Sequence, residues 1–192
     1  MSDRPQDDAG CAVAHGEAAP PERPDRPARV LVAVYATPVA DRLLTWGQDL
    51  GFRTVLLEPD PSRVTAAHRS AADEVLDDAA GVAVGPDVDV VVTDHHRDDL
   101  GAVMAPLVTG APRWIGIMGS PRHAGPHEEA LAHHGVPADL IATVQRPIGL
   151  DIGSKTPAEI ALSTLAGLVA DRNGRVGGLH AAQNAQNAQN AP

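Results

Sequence analysis

Two glycines, an aspartate and a lysine stand directly before a strongly specified helix start in residues 147–161, Pro-Ile-Gly-Leu-Asp-Ile-Gly-Ser-Lys-Thr-Pro-Ala-Glu-Ile-Ala. Thr156 is placed to cap that start. Pro157 falls in the first helical turn, where its missing N–H costs nothing, and Glu159 completes a Thr-x-x-Glu capping box. Ala158, Ala161, Leu162, Leu165, Leu168 and Val169 then recur at helical spacing, so one stripe of this helix must face a core. Gly149, Asp151, Gly153, Lys155 and Thr156 make a glycine-lined approach to a fixed helix N-terminus, which suits an anion because free N–H groups and the helix dipole both point at it. The same residues also serve a structural purpose, a tight turn and a cap against fraying, and both readings stay open on the sequence.

Two further places carry residues fit for binding. Gly116-Ile-Met-Gly119-Ser120 leaves an apolar run, and Arg122 adds the charge that an anion would need. Pro126 would break a helix already running from Ser120, so the helix is expected to begin at Pro126, which weakens that grip. In Thr93-Asp94-His95-His96, Thr93 and His96 are able to hydrogen-bond a phosphate while Asp94 orients an imidazole. The alternative is a helix cap, with Asp94 as N-cap and Asp98 and Asp99 in the first turn.

Other chemistries fare worse. Of the nine histidines, His123 and His127 are separated by Gly125-Pro126, and His133 and His134 sit side by side at a helix end. No cysteine lies in residues 29–172 and no His-Glu-x-x-His occurs, so a structural zinc is not expected. Ser120, Ser154 and Ser163 lack a Gly-x-Ser-x-Gly elbow. The sequence holds no catalytic constellation and reads as a non-enzyme.

The elements that position these residues follow from apolar periodicity. Residues 30–34, 53–57, 88–93 and 113–118 read as buried strands, rich in valine as parallel strands are. Residues 39–50, 96–107 and 128–134 read as helices, and 140–144 as a short strand. Strands alternating with helices predict right-handed crossovers and an α/β, doubly wound, mostly parallel sheet. Ligands in such sheets bind beyond the carboxyl ends of the strands.

The chain has 192 residues, enough for one domain with a real core. Residues 1–28 are crowded with Pro, Asp, Arg and Ala without periodicity and read as a disordered leader. Residues 173–192 run into Gly177-Gly178 and three Ala-Gln-Asn repeats and read as a low-complexity flexible tail. No apolar run approaches the ~20 residues a membrane helix needs, so no membrane partner is expected. Cys11 is the sole cysteine, which excludes a disulfide within one chain and makes a reducing cytoplasm the natural setting. A net charge of −10 and scarce aromatics argue against a nucleic-acid partner.

Residues 147–161 resemble the C-terminal signature of the XdhC/CoxI family, accessory factors that mature molybdenum hydroxylases such as xanthine dehydrogenase and carbon monoxide dehydrogenase. Leu50-Gly51-Phe52, Thr93-Asp94-His95-His96 and Gly116–Ser120 lie in matching order, so the resemblance spans residues 29–172. It implies a Rossmann-like single domain with disordered tails and a chaperone role. The bound species would be molybdenum cofactor, its phosphate on the glycine-lined helix starts and Lys155 with Arg122 supplying charge. The partner implied is a molybdenum hydroxylase, and a homodimer is left open. Relatives usually also carry a separate cysteine-bearing N-terminal domain, and whether another chain supplies it here is left open.

Where the family has a Gly-Ala-Gly turn, this chain reads Tyr35-Ala36-Thr37, followed by Pro38. Side chains in both glycine places oppose close approach of a pyrophosphate, so NAD(P) is not expected, although Glu58 stands about 20 residues on where a ribose-binding acid would. Two alternatives to the accessory role remain: a nucleotide-binding oxidoreductase, and a degenerate Rossmann domain serving only protein contact.

Overall fold

The structure, a computed structural model, describes residues 29–120 and 125–178. Strand β1 (Val30–Val34) leads into α1 (Pro38–Asp49), then β2 (Arg53–Leu57), the short α2 (Ala66–Ala71) and β3 (Glu74–Leu76). The second half runs β4 (Val88–Val92), α3 (Leu100–Thr109), β5 (Trp114–Ile117), α4 (Pro126–His133), α5 (Ala138–Ile141) and α6 (Pro157–Arg172). The strands form one sheet in the order β3-β2-β1-β4-β5, and every pairing is parallel. The chain winds outward from β1 in one direction and then in the other, so a switch point lies between β1 and β4.

Burial on both faces explains the valine-rich strands. Val32, Val34, Val90 and Val92 pack with Met104, Leu107 and Leu131 of α3 and α4. The alternate residues Leu31 and Val91 turn the other way, onto Leu43 of α1 and Leu165 and Leu168 of α6. At the amino end of the sheet, Arg29 and Asp89 form a buried bidentate pair, and Arg29 Nη1 donates to Asp171 at 2.8 Å. This ties β1 and β4 to the end of α6, opposite the edge where ligands bind.

Several expectations need correction. Residues 140–144 are not a strand: α5 ends at Ile141, and Leu140, Ile141 and Val144 have the i, i+1, i+4 spacing of a helical turn. The strand position beside β5 is instead reduced to one parallel bridge, Gly116 to Gln145. The helix expected over 96–107 begins only at Leu100, because Asp94 turns the chain by accepting from the His96 N–H at 2.9 Å. Asp99 rather than Asp94 is its N-cap, without a side-chain cap bond. Two elements went unread, α2 and β3. In α2 the box partner of Thr65 is His68, whose Nδ1 accepts the Thr65 N–H at 3.0 Å in the place of the usual Glu.

Candidate functional site

The switch point between β1 and β4 is filled by the protein itself. Tyr35 closes β1 in the left-handed region, φ 74°, a conformation that usually selects glycine. Its side chain is fully buried, and the hydroxyl donates to Asp99 Oδ1 at 3.0 Å. Burial, reinforced by the Asp99 carboxylate, pushes that phenol far above its ordinary value. Arg97 lies over the ring at 4.5 Å and pairs with Glu58 and Asp99, each at 3.1 Å. Glu58, only 1% exposed, accepts the Ala36 N–H at 2.8 Å and the Asp60 N–H at 3.0 Å. The acid expected near a ribose thus holds the turn amide that a pyrophosphate would use.

Thr93 belongs to the same closure. Its hydroxyl donates to Val34 O or Tyr35 O, at 2.9 and 3.0 Å, and accepts from Thr37 at 2.8 Å. Thr37 in turn caps α1 by accepting the Ala40 N–H. Thr93 is buried, while His96 is exposed.

Toward the far edge of the sheet the carboxyl end opens into a cavity of about 730 Å³. Gly119 and Ser120, leaving β5, form one wall; Gly149, Asp151, Gly153 and Lys155 form the other, with His95 at the rim. Gly149 and Gly153 have φ 80° and 70°, and a Cβ on Gly149 would stand 2.5 Å from Ser163 Oγ and 2.8 Å from Thr164 N. The segment therefore lies flat on α6, tied by Leu150 N–H to Ser163 O at 3.1 Å and by Ser154 to Ser163 at 3.2 Å. Apolar surface from Ile148, Leu150, Ile152 and Ile160 completes a chamber of the size that takes small ligands.

The structure thus gathers Gly119, Ser120, Gly149, Asp151, Gly153 and Lys155 around one chamber. Thr156 faces a different cavity of about 430 Å³, shared with Pro38, Asp41 and Arg42. Arg122 lies outside the described residues. At the α6 start, the Glu159 carboxylate accepts the Lys155 and Thr156 N–H groups at 2.8 and 3.0 Å, and Thr156 Oγ1 accepts the Glu159 N–H. Those backbone bonds hold the Glu159 carboxyl below its ordinary value. The helix start already carries an anion of its own.

The sequence reading gave no ligand role to three basic side chains near this end of the sheet. His95, not His96, reaches the cavity. Arg146, just before Pro147, crosses Gly119, where a Cβ would stand 2.6 Å from its Nη2. His127, in the first turn of α4, is 3% exposed, and its Nδ1 is buried without a hydrogen-bond partner. The adjacency of His95 to His96 and of Arg146 to the signature were the only signals in the sequence. Among the described residues no group of three His, Cys, Asp or Glu side chains is placed to hold a metal, and no helix is long and apolar enough to cross a membrane.

A parallel sheet in the order 3-2-1-4-5, with a chamber at its carboxyl edge, defines an α/β domain of the Rossmann class. Residues 31–168 match the XdhC Rossmann domain, and the chain belongs to that family. It is 31% identical over 124 residues to the uncharacterized protein YqeB of Escherichia coli strain K12, covering 65% of this chain and 21% of that one. A Bacillus halodurans protein, solved as a xanthine dehydrogenase, superposes with a TM-score of 0.64 at 27% identity, covering 78% of this chain and 44% of that one. The chain spans about a fifth of the first relative and less than half of the second.

Proposed function

We propose that this chain is an accessory protein in the maturation of a molybdenum hydroxylase, and that the chamber beside β5 receives molybdenum cofactor as cargo. The observation that carries the reading is the chamber: the family's signature residues Gly149, Asp151, Gly153 and Lys155 meet Gly119 and Ser120 across it. The residues fit a phosphorylated pterin. Apolar walls suit a flat heterocycle, Asp151 offers a carboxylate to ring N–H groups, and Lys155 and Ser154 offer donors. The cargo brings its own sulfur ligands for the metal, so the fit requires no metal cluster from the chain. The partner is the hydroxylase that takes the cargo. The nucleotide-binding oxidoreductase alternative is disfavoured by Tyr35 and by the Glu58 carboxylate on the Ala36 amide.

The test is expression in a molybdate-fed host with a xanthine dehydrogenase-type enzyme. The oxidised pterin is measured by fluorescence, molybdenum by elemental analysis, and enzyme activation by turnover. Lys155→Ala and Asp151→Asn should melt like the parent, because both side chains are exposed. Each should lose about tenfold to a hundredfold in cofactor retention, the equivalent of one charge-assisted contact. Full retention and full activation by both variants would reduce the segment to a capped turn and end this proposal.

A further inference from the structure

We infer that Asp151 is the specificity-determining residue of the chamber, a carboxylate that reads the 2-amino-4-oxo edge of a guanine or pterin ring and turns away adenine. The inference deepens the reading above and rests on it in one respect, that the chamber takes a flat heterocycle.

Asp151 has no duty in its own loop. Other aspartates of this chain do: Asp60, Asp78 and Asp94 each accept the N–H two residues on, at 3.0, 2.9 and 2.9 Å. Asp151 has the same opportunity at Gly153 and does not take it. Its carboxylate has no hydrogen bond or ion pair among the described residues. The turn that carries it is nevertheless fixed. Ile152 N–H donates to Leu150 O at 2.9 Å, which makes Asp151 the centre of a three-residue turn. Leu150 N–H is held by Ser163 O of α6, and the Ser154 hydroxyl by Ser163 Oγ. An unengaged carboxylate on an anchored turn is preorganised, since binding need not order the backbone that bears it.

A carboxylate only accepts, and its two oxygens match two parallel N–H groups. Asp151 is the one acid among the residues lining the chamber, so a pair of such donors has a single place to go. Its neighbours set the shape of the ligand. Leu150 and Ile152 line the chamber on either side of it, and Ile152, though large and apolar, is 55% exposed. Apolar surface beside a pair of acceptors suits a ring laid flat with its N–H edge toward the carboxylate. In guanine and pterin the ring N–H and the exocyclic 2-amino group form that pair. Hypoxanthine keeps only the ring N–H. Adenine sets a lone pair there, against the charge.

The test is calorimetry on the full chain with guanosine, inosine and adenosine monophosphates and with 6-hydroxymethylpterin. Guanosine monophosphate should bind about tenfold to a hundredfold tighter than adenosine monophosphate, with inosine monophosphate between them. Asp151→Asn should abolish or reverse that order, because a carboxamide donates to the adenine ring nitrogen and accepts from its amino group. Lys155→Ala should lower all three nucleotide affinities alike and keep their order. Pterin binding that depends on Asp151 supports the inference with a pterin as the source. Dependence seen only with nucleotides supports it with a guanine nucleotide as the source. Equal measurable affinities for guanosine and adenosine monophosphates, an order or a pterin affinity unchanged in Asp151→Asn, or no binding by any probe would overturn it. Asp151-dependent selectivity without hydroxylase activation would sink the accessory role and leave this assignment standing. Hydroxylase activation with no preference among the probes would do the reverse.

Discussion

Arg97→Ala should be among the most destabilising single changes in this domain, and the reason lies at the switch point. The substitution strips Glu58, whose side chain is wholly buried, of its only cationic partner among the described residues and uncovers one face of Tyr35. Breaking a buried ion pair by removing one partner costs about 3–5 kcal/mol. Lost stacking on the ring adds about 0.5–2 kcal/mol. Two terms soften this: Glu58 keeps the Ala36 and Asp60 N–H bonds, and the Arg97 side chain is 14% exposed, so water reaches part of the space. A net loss of about 2–4 kcal/mol follows. The assay is urea unfolding at neutral pH, with the slope unchanged between variants so that the midpoint shift reports stability. The companion is Glu58→Gln with Arg97→Ala. Without the carboxylate no charge is stranded, so the double variant should lose less than the sum of the two single losses, with a coupling of about 1–3 kcal/mol. A single-variant loss below about 0.5 kcal/mol, or strictly additive losses, would show that the pair is only a surface contact and that the crevice is not held shut by it.

Tyr35→Gly should leave NAD(P) binding undetectable by calorimetry, because the Ala36 amide stays with Glu58; micromolar binding by either protein would refute that. Thr156→Ala should cost about 1 kcal/mol through loss of the α6 cap, read as a lowered urea midpoint. The Glu159 carboxyl sits below its unfolded value, so its contribution is complete above the ordinary carboxylate range, about pH 4.3, and is lost as pH falls through the folded value. Glu159→Gln should therefore flatten the acid side of the stability profile, and an unchanged profile would mean that the amide bonds to Glu159 carry no weight.

The fold was legible where the chain is buried on both faces. A valine-rich run such as Val-Asp-Val-Val-Val at residues 88–92 suits the middle of a parallel sheet, and β4 is buried along its whole length. Legibility failed at the margin of the sheet. The three residues of β3 are all half-buried and carry no period to read, and α2 hides its start behind a histidine in place of the box glutamate. Residues 140–144 were misread because a short apolar cluster after a proline satisfies a strand and a single helical turn equally well. In the chamber, Gly149, Asp151, Gly153 and Lys155 were legible because they are contiguous. His95 comes from the loop after β4, and only the folded sheet brings it to the rim of the same chamber. Glu159 shows the subtler limit. The box it forms is plain in sequence, yet that its carboxylate takes the very amides offered to an anion is a matter of geometry.

The departure from Gly-Ala-Gly at Tyr35 and the position of the chamber are connected. A parallel sheet concentrates helix N-termini and loop amides along its carboxyl edge, and the switch point is where two loops diverge and leave the most room. In this chain that room is consumed by a tyrosine held at positive φ, an arginine on its face and a buried glutamate on the turn amide. The strain of a non-glycine residue at φ 74° persists only because these contacts overdetermine it. With the centre closed, the remaining opening lies beyond β5, where the sixth strand position has shrunk to the Gln145 bridge and leaves the sheet edge uncovered at its carboxyl end. Residues 147–155 then line the chamber opposite Gly119 and Ser120 instead of extending the sheet, and Gly149 lets them lie close on α6. Closure at one place and opening at the other are thus two consequences of how this chain spends its carboxyl edge, and a ligand sought by analogy with dinucleotide enzymes would be sought two strands away from the chamber.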